Sequence, residues 1–421
     1  MVLNSKFNKI LYYNFPVILF SLLPFFLITG PFLSDLSISL ISLIFLIYCF
    51  KNKNFSYFKN KYFYFFLFFW IYLVINSLIN NFNLDSYKIS FFYFRYGVFV
   101  IAIVALLNQD DKFVEYFFYC IFFCFTVLVL DGYFQYFNGV NILGWGYGSR
   151  ITSFFGDEKI LGSYLCRLWP VFFALSTLML KKNKILFFLF ILIFILSETL
   201  IFLSGDRAAF FFINLSAIFV ILFTQKLFKL RFIVLTLSIL LIVVVSFINP
   251  TAKYRVLDYT LKQMNLTDEN KREQEGLFIF SKAHTHHYIT AYNMFLDNKI
   301  LGVGVKNFRN FCSDEKYKAG LYSCASHPHN SYIQILAETG IIGFLFLILI
   351  LFVFCKFIYT HALFKMRKKA YFNDFEICLL SGIAMYLWPF IPTGNIFNNW
   401  LNIAMLLNLP FFVWSRKLIK T

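Results

Sequence analysis

The side chains best suited to chemistry lie between Ser326 and Gly340, in the stretch SHPHNSYIQILAETG. Two imidazoles, His327 and His329, flank Pro328, and amide, hydroxyl and carboxylate groups then lead into one of the most apolar runs of the chain. His329 sits at the mouth of that apolar run, and an unperturbed imidazole exchanges its proton near neutral pH. Pro328 fits the first turn of a helix, where its missing N–H has no partner to lose. A helix starting there places Asn330, Gln334 and Glu338 on one face, four residues apart. A polar stripe at the end of an apolar helix has to face protein or water. Helix capping and interhelical hydrogen bonding explain such a stripe as readily as catalysis does.

Three arginines carry the complementary chemistry. Arg207 sits in SGDRAA between two apolar runs, Arg255 lies in KYRVLDYT, and Arg150 opens RITSFFGDEKILGSYL. A guanidinium at a membrane surface either snorkels to the headgroups, pairs with a neighbour such as Asp206, or binds an anion. Its planar fork matches phosphate oxygens. Gly156-Asp157-Glu158 marks a turn back into apolar sequence. His284, His286 and His287, in HTHHY, match no metal-ligand spacing and are expected to be solvated loop histidines.

The elements that must position these groups are apolar helices. Of 421 residues 60% are hydrophobic, 22% aromatic and only 14% charged, and the apolar residues come in runs near twenty. Each run is long enough to cross a hydrocarbon core of roughly 30 Å as a helix. A β-barrel needs short alternating segments, which the sequence lacks. The expectation is an all-α, polytopic transmembrane helical bundle. About twelve spans are predicted, near residues 11–29, 32–50, 62–80, 91–107, 113–137, 160–180, 185–203, 208–224, 232–249, 332–359, 375–393 and 396–414. Three parts follow: spans one to nine in residues 1–249, a hydrophilic loop with short helices in 250–331, and three last spans in 332–421. Lys6 and Lys9 precede a first run with no small-residue cleavage site, which reads as a retained span.

The net charge of +17 is distributed as a topology signal. Lys51, Lys53, Lys59 and Lys61; Lys181, Lys182 and Lys184; Lys226, Lys229 and Arg231; Lys365, Arg367, Lys368 and Lys369; and Arg416, Lys417 and Lys420 all fall in connections on the side of the N-terminus. The intervening connections, at Asp35, 81–90, Gly205-Asp206 and Thr393-Gly394-Asn395, are poor in Lys and Arg. By the positive-inside rule both termini are cytoplasmic and the 250–331 loop is on the outer face, with Arg150, Arg207, Arg255 and His329. The charge therefore calls for no nucleic-acid partner. That loop also carries Cys312 and Cys324, the two cysteines outside the apolar runs. In an oxidising compartment they are a candidate disulfide, with two free thiols as the alternative. No P-loop, dinucleotide fingerprint or zinc spacing is present, and no cytoplasmic connection is large enough for a nucleotide domain. Arg167 and Glu198, inside apolar runs, leave a transporter reading open.

HPHNSYIQILAETGIIG resembles the hallmark of the O-antigen ligase and polymerase superfamily, polytopic bacterial glycosyltransferases of the GT-C type. RITSFFGDEKILGSYL, SGDRAAFF, MFLDNKILGVGVKNFRNF and PTGNIFNNW agree in order, so the resemblance spans about residues 145–405. It implies an inner-membrane enzyme with a periplasmic site that needs neither metal nor other cofactor. Its donor is a glycan on a polyprenyl (undecaprenyl) diphosphate; its acceptor is a lipid A core for a ligase or a further glycan for a polymerase. A protein acceptor, or a flippase, are other readings. Residue by residue, it implies His329 as general base with His327 as second candidate. Arg207, Arg255 and Arg150 are implied at the diphosphate, with Asn330, Tyr332 and Glu338 in support. Arg255 matches by position after the ninth run more than by motif. The length of the 250–331 loop, with the motif at its end, favours the ligase branch.

Overall fold

The computed structural model describes residues 6–80, 83–179, 184–248, 250–270, 272 and 276–418, and is almost entirely helical. Lys181, Lys182 and Lys420, counted above among the basic connections, lie outside the described residues. The N-terminal run forms a broken helix, Ile10–Asn14, Phe15–Ser21 and Leu23–Phe26, interrupted around Pro16 and Pro24. There follow α1 (Pro31–Lys51), α2 (Lys61–Ile79), α3 (Leu84–Phe92), α4 (Phe94–Gln109) and α5 (Phe113–Asn138). The middle of the chain holds α6 (Leu161–Met179), α7 (Lys184–Leu203), α8 (Arg207–Phe223) and α9 (Phe228–Ile248). After the large loop and its helix α10 (Lys282–Asp297) come α11 (Ser331–Met366), α12 (Asp374–Tyr386), α13 (Asn399–Leu406) and α14 (Asn408–Ser415).

Among the described residues eight helical segments are long and apolar enough to cross a membrane; Ile10–Ser21 and α8 are shorter apolar helices. The chain is a multi-pass membrane protein. Helix α6 is central, packed against α5, α7, α8 and α12, and Tyr164, Leu168, Trp169 and Phe172 on it are fully buried. On the outer helices large apolar residues such as Phe68, Phe188 and Phe247 are exposed, as lipid-facing side chains are.

The expected span at 375–393 is cut short. Helix α12 ends at Tyr386, because Pro389 and Pro392 cannot continue a helical ladder, and residues 387–398 form an irregular segment. Arg231 is also misplaced by charge counting. It lies inside α9, fully buried, 2.7 Å from the Glu198 carboxylate and against the Trp169 ring. Each charge there compensates the other, so neither reads as a free group on a transport path.

Contacts sort the connections into two ends. At the Lys/Arg-rich end, the backbone N–H groups of Gln225, Lys226 and Leu227 donate to the Asp374 carboxylate at 2.8–3.0 Å. At the opposite end, Asn80, Ser86, and the 141–153, 204–207 and 387–398 segments meet the described part of the large loop.

Candidate active site

Helix α11 is broken at Gly340, where the backbone takes φ 61°, ψ −165°. The 299–304 segment docks into that break. Val303 and Gly304 donate their N–H groups to the carbonyls of Ala337 and Glu338 (2.9 and 3.0 Å), and Ile341 N–H donates to Lys299 O (2.9 Å). A Cβ on Gly340 would stand 2.2 Å from the Ile300 carbonyl oxygen, and one on Gly302 2.5 Å from the Glu338 backbone. The two glycines are thus required by close backbone approach as well as by positive φ. Helices α2 and α3 hold the segment from the other side. Asn76 and Asn80 donate to Leu301 O (2.6 and 3.1 Å), and Ser86 donates to Val305 O (2.6 Å).

Glu338 completes this frame and lies apart from the imidazoles. Fully buried, it accepts from Phe308 N–H (3.1 Å) and from Gln334 Nε2 (3.0 Å), which in turn reaches Asn395 Oδ1 (2.9 Å). Asn330 is the N-cap of α11, accepting from Tyr332 and Ile333 N–H (3.0 and 3.1 Å) and donating to Pro389 O (2.8 Å). Tyr332 donates its hydroxyl proton to Leu387 O (2.6 Å). The helix therefore begins at Ser331 and not at Pro328. The Asn330 cap and the left-handed backbone of His329 (φ 58°) keep the preceding turn out of it.

Placed by this turn, His329 sits among three other imidazoles. Its ring centroid is 4.1 Å from that of His327, 5.3 Å from His287 and 5.4 Å from His284. His327 is committed at both nitrogens: Nε2 faces Thr393 O (3.2 Å) and Nδ1 faces Ser326 Oγ (2.9 Å). A carbonyl only accepts, so Nε2 carries the proton and Nδ1 takes the Ser326 hydroxyl proton. Thr393 N–H also donates to His329 O (2.8 Å), fixing the turn.

His284 and His287 were expected to be solvated; instead they are packed into this cluster by α10. Ser281 caps that helix, accepting from His284 N–H (3.2 Å) and bonding its ring Nδ1 (2.7 Å), and His287 is buried. His286 alone keeps to the rim, accepting from Tyr322 N–H. Cys312 and Cys324 are paired, Cα atoms 5.0 Å apart, in the turn leading to His327. Burial first, then the neighbouring imidazoles, push His329 and His284 down to about 4 and His327 down to about 3. His287 moves the same way by burial. The neutral-range titration expected for His329 thus gives way to a ring uncharged throughout the physiological range.

The three arginines come together beside the imidazoles. Gly205 leaves room for the Arg255 side chain, since a Cβ there would lie 2.5 Å from Arg255 Cδ. Asp206 does not pair with Arg207; it caps α8, accepting from Ala209 N–H (3.2 Å). Arg207 Nη1 donates to Thr260 Oγ1 (3.1 Å) and Gln263 Oε1 (2.7 Å), and the guanidinium lies over the Tyr259 ring, 5.8 Å from its centroid. Arg255 donates to Ser149 O, one residue from Arg150, whose buried Nε has no partner. Burial, then Arg150 and Arg207, hold Arg255 below the usual arginine range, and Arg207 acts in the same sense on His284. Among the described residues no carboxylate lies within salt-bridge distance of the three guanidinium groups.

The mount for Arg150 was not foreseen. Asp131 and Gln135, one turn apart near the end of α5, accept from Ile142 N–H (2.9 Å) and from Thr152 and Ser153 N–H (2.9 and 2.8 Å). The signal was present: two polar side chains at i, i+4 closing an apolar run.

Fold and site together define a multi-pass helical membrane protein with cationic and imidazole side chains gathered at one end of the bundle. Residues 185–348 match the family model described as O-antigen ligase, a match that supports the O-antigen ligase and polymerase superfamily over that segment. The matched segment contains Arg207, Arg255 and all four clustered histidines; Arg150 lies outside it. No curated protein matches the chain.

Proposed function

We propose that the protein transfers a glycan from a polyprenyl diphosphate to an acceptor hydroxyl at the periplasmic face of the bacterial inner membrane, both termini being cytoplasmic. The observation that supports this best is the juxtaposition of Arg150, Arg207 and Arg255, with no carboxylate among the described residues in salt-bridge distance, and the His329 cluster. In the reaction, the acceptor oxygen bonds to the anomeric carbon as the bond from that carbon to the diphosphate oxygen breaks. The electron pair leaves on the diphosphate. His329, uncharged at neutral pH, takes the acceptor proton, while the guanidinium groups stabilise charge building on the leaving group. His327, committed at both nitrogens, positions His329. Asn330, Tyr332 and Glu338 hold the turn and the frame behind it.

The acceptor favoured is a lipid A core, making the activity that of a ligase; polymerisation onto another lipid-linked repeat is the alternative within the same superfamily. Glycolipid analysis of a deletion strain tests the reading. Carrier-linked chains that accumulate while lipid A loses its long chains mark a ligase. Products stopped at one repeat mark a polymerase. A glycolipid profile identical to the parent strain's overturns both.

A further inference from the structure

Helix α10 has two faces. One is buried, with His287, Tyr288, Ala291 and Met294 turned toward the site and the loop core. The other carries Ile289, Tyr292 and Leu296, continued by Ile300, at one-turn spacing and 45–64% exposed. Asp297, on the flank of this stripe, is paired with Lys316 and accepts from the Tyr317 hydroxyl. A soluble loop helix has no reason to turn three large apolar side chains outward in register and to follow them with a fourth just past its end.

The ends of α10 show what covers them. At its start, His284 neighbours His329 and feels Arg207, the first residue of α8. Beyond its end, Ile300 and Leu301 reach the Gly340 break of α11 and the Asn76–Asn80 end of α2. One end therefore lies by the start of the apolar helix α8 and the other by the end of the membrane-spanning α2. A helix of this length, about 24 Å, lies across the end of the bundle and does not stand away from it. Its stripe meets that of α11 at the break. Ile341 donates its N–H to Lys299 O, and Ile341, Leu345 and Leu349 then continue an exposed apolar line down the spanning part of α11.

We propose that α10 is an interfacial helix, its Ile289–Tyr292–Leu296–Ile300 stripe seated among the lipid acyl chains of the leaflet that α11 enters. The occupant is the bilayer itself: the stripe is apolar, shows no carboxylate left uncompensated, and is continuous with a lipid-facing surface. Such seating sets the depth of His284 and His287, and with them the imidazole cluster, at the headgroup level. The inference does not depend on which reaction occurs there.

The test is a spin label at Leu296→Cys and, separately, at Ile289→Cys, in full-length protein with the exposed Cys355 replaced by serine, reconstituted in phospholipid vesicles. Collision with oxygen is compared with collision with a water-soluble nickel chelate, and a label at Glu315→Cys serves as the aqueous reference. The expected oxygen-to-nickel ratio at positions 289 and 296 is several-fold above that at 315. A ratio equal to the reference at both positions refutes the seating. Labels shielded from both reagents also refute it, since they indicate a second copy or another protein on the stripe.

Discussion

Burial gives the reaction a pH dependence that solvent-exposed histidine does not predict. With His329 displaced from 6.5 to about 4, its protonated form is disfavoured by roughly 3 kcal/mol relative to a free imidazole. At pH 5.5 an ordinary histidine is only about one-tenth neutral, whereas His329 in the empty site is still almost wholly the free base. The kcat/KM for transfer, which reports the unliganded enzyme, is therefore expected to hold nearly level from pH 7.5 to 5.5 and to fall with a midpoint near 4. A bound diphosphate adds negative charge beside the arginines and the imidazoles. That raises the affinity of His329 for a proton, so the acid limb of kcat moves to higher pH than that of kcat/KM. The empty site thus holds a base that is free but weak, and the anionic donor strengthens it.

The assay is transfer by purified protein in vesicles, with donor varied at each pH. A tenfold drop in kcat/KM between pH 7.5 and 5.5, following a midpoint near 6.5, would refute the burial reasoning. Stability has to be followed in parallel, with its sign fixed by the same displacement. An imidazole whose folded value is depressed binds its proton more readily in the unfolded chain. Folding stability is therefore full above 6.5, falls as pH drops below it, and levels only below the folded value of about 4 for His329 and His284. At pH 5.5 the loss is about 1.4 kcal/mol for each such histidine, and protease resistance of the loop separates this loss from a change in chemistry.

Arg207→Lys should lower kcat/KM by roughly a hundredfold, because a single ammonium cannot hold Thr260 and Gln263 through one edge and present another edge to an anion; activity within threefold of wild type in vesicles would remove Arg207 from the site. Arg150→Gln should raise the thermal stability of the unliganded protein, by relieving repulsion on Arg255, and abolish the stabilisation that added pyrophosphate gives the parent, as melting with and without pyrophosphate will show. Gly340→Ala places a Cβ 2.2 Å from a backbone carbonyl that no rotamer change can move; it should cost about 3 kcal/mol or more and open the 276–330 region to limited proteolysis, whereas Gly144→Ala, whose Cβ meets nothing within 4 Å, should leave that region resistant.

What could be read from the sequence was whatever has a local period or a fixed chemical type. Runs of about twenty apolar residues are set by membrane thickness, so the helices were legible one at a time, as was the sorting of connections into basic and non-basic sets. His329 and the arginines stood out as charged or titratable groups at the ends of such runs. The errors come from interactions that no window contains. Arg231 was counted with its neighbours Lys226 and Lys229, but its position depends on Glu198, a helix away. Likewise, the HTHHY histidines look solvated in a polar loop, and only tertiary packing of α10 turns His284 and His287 inward.

The break in α11 connects these readings. A continuous helix would keep the Ala337 and Glu338 carbonyls within its own ladder; the left-handed Gly340 frees them for Val303 and Gly304, and Gly302 lets that segment come close enough to bond. The LGVG stretch and the ETG stretch are therefore two halves of one joint, which makes both informative for the backbone they bring together. The joint fixes the far end of α10 while the Asn330 cap and the Thr393 contacts fix the His329 turn. Two rigid mounts, on separate segments, thereby bring His284 and His287 against His327 and His329 with no covalent link between them. Loosening either mount should separate the imidazoles while leaving every one of them in place in the sequence, so the site belongs to the packing of the bundle end more than to the motif that first draws attention to it.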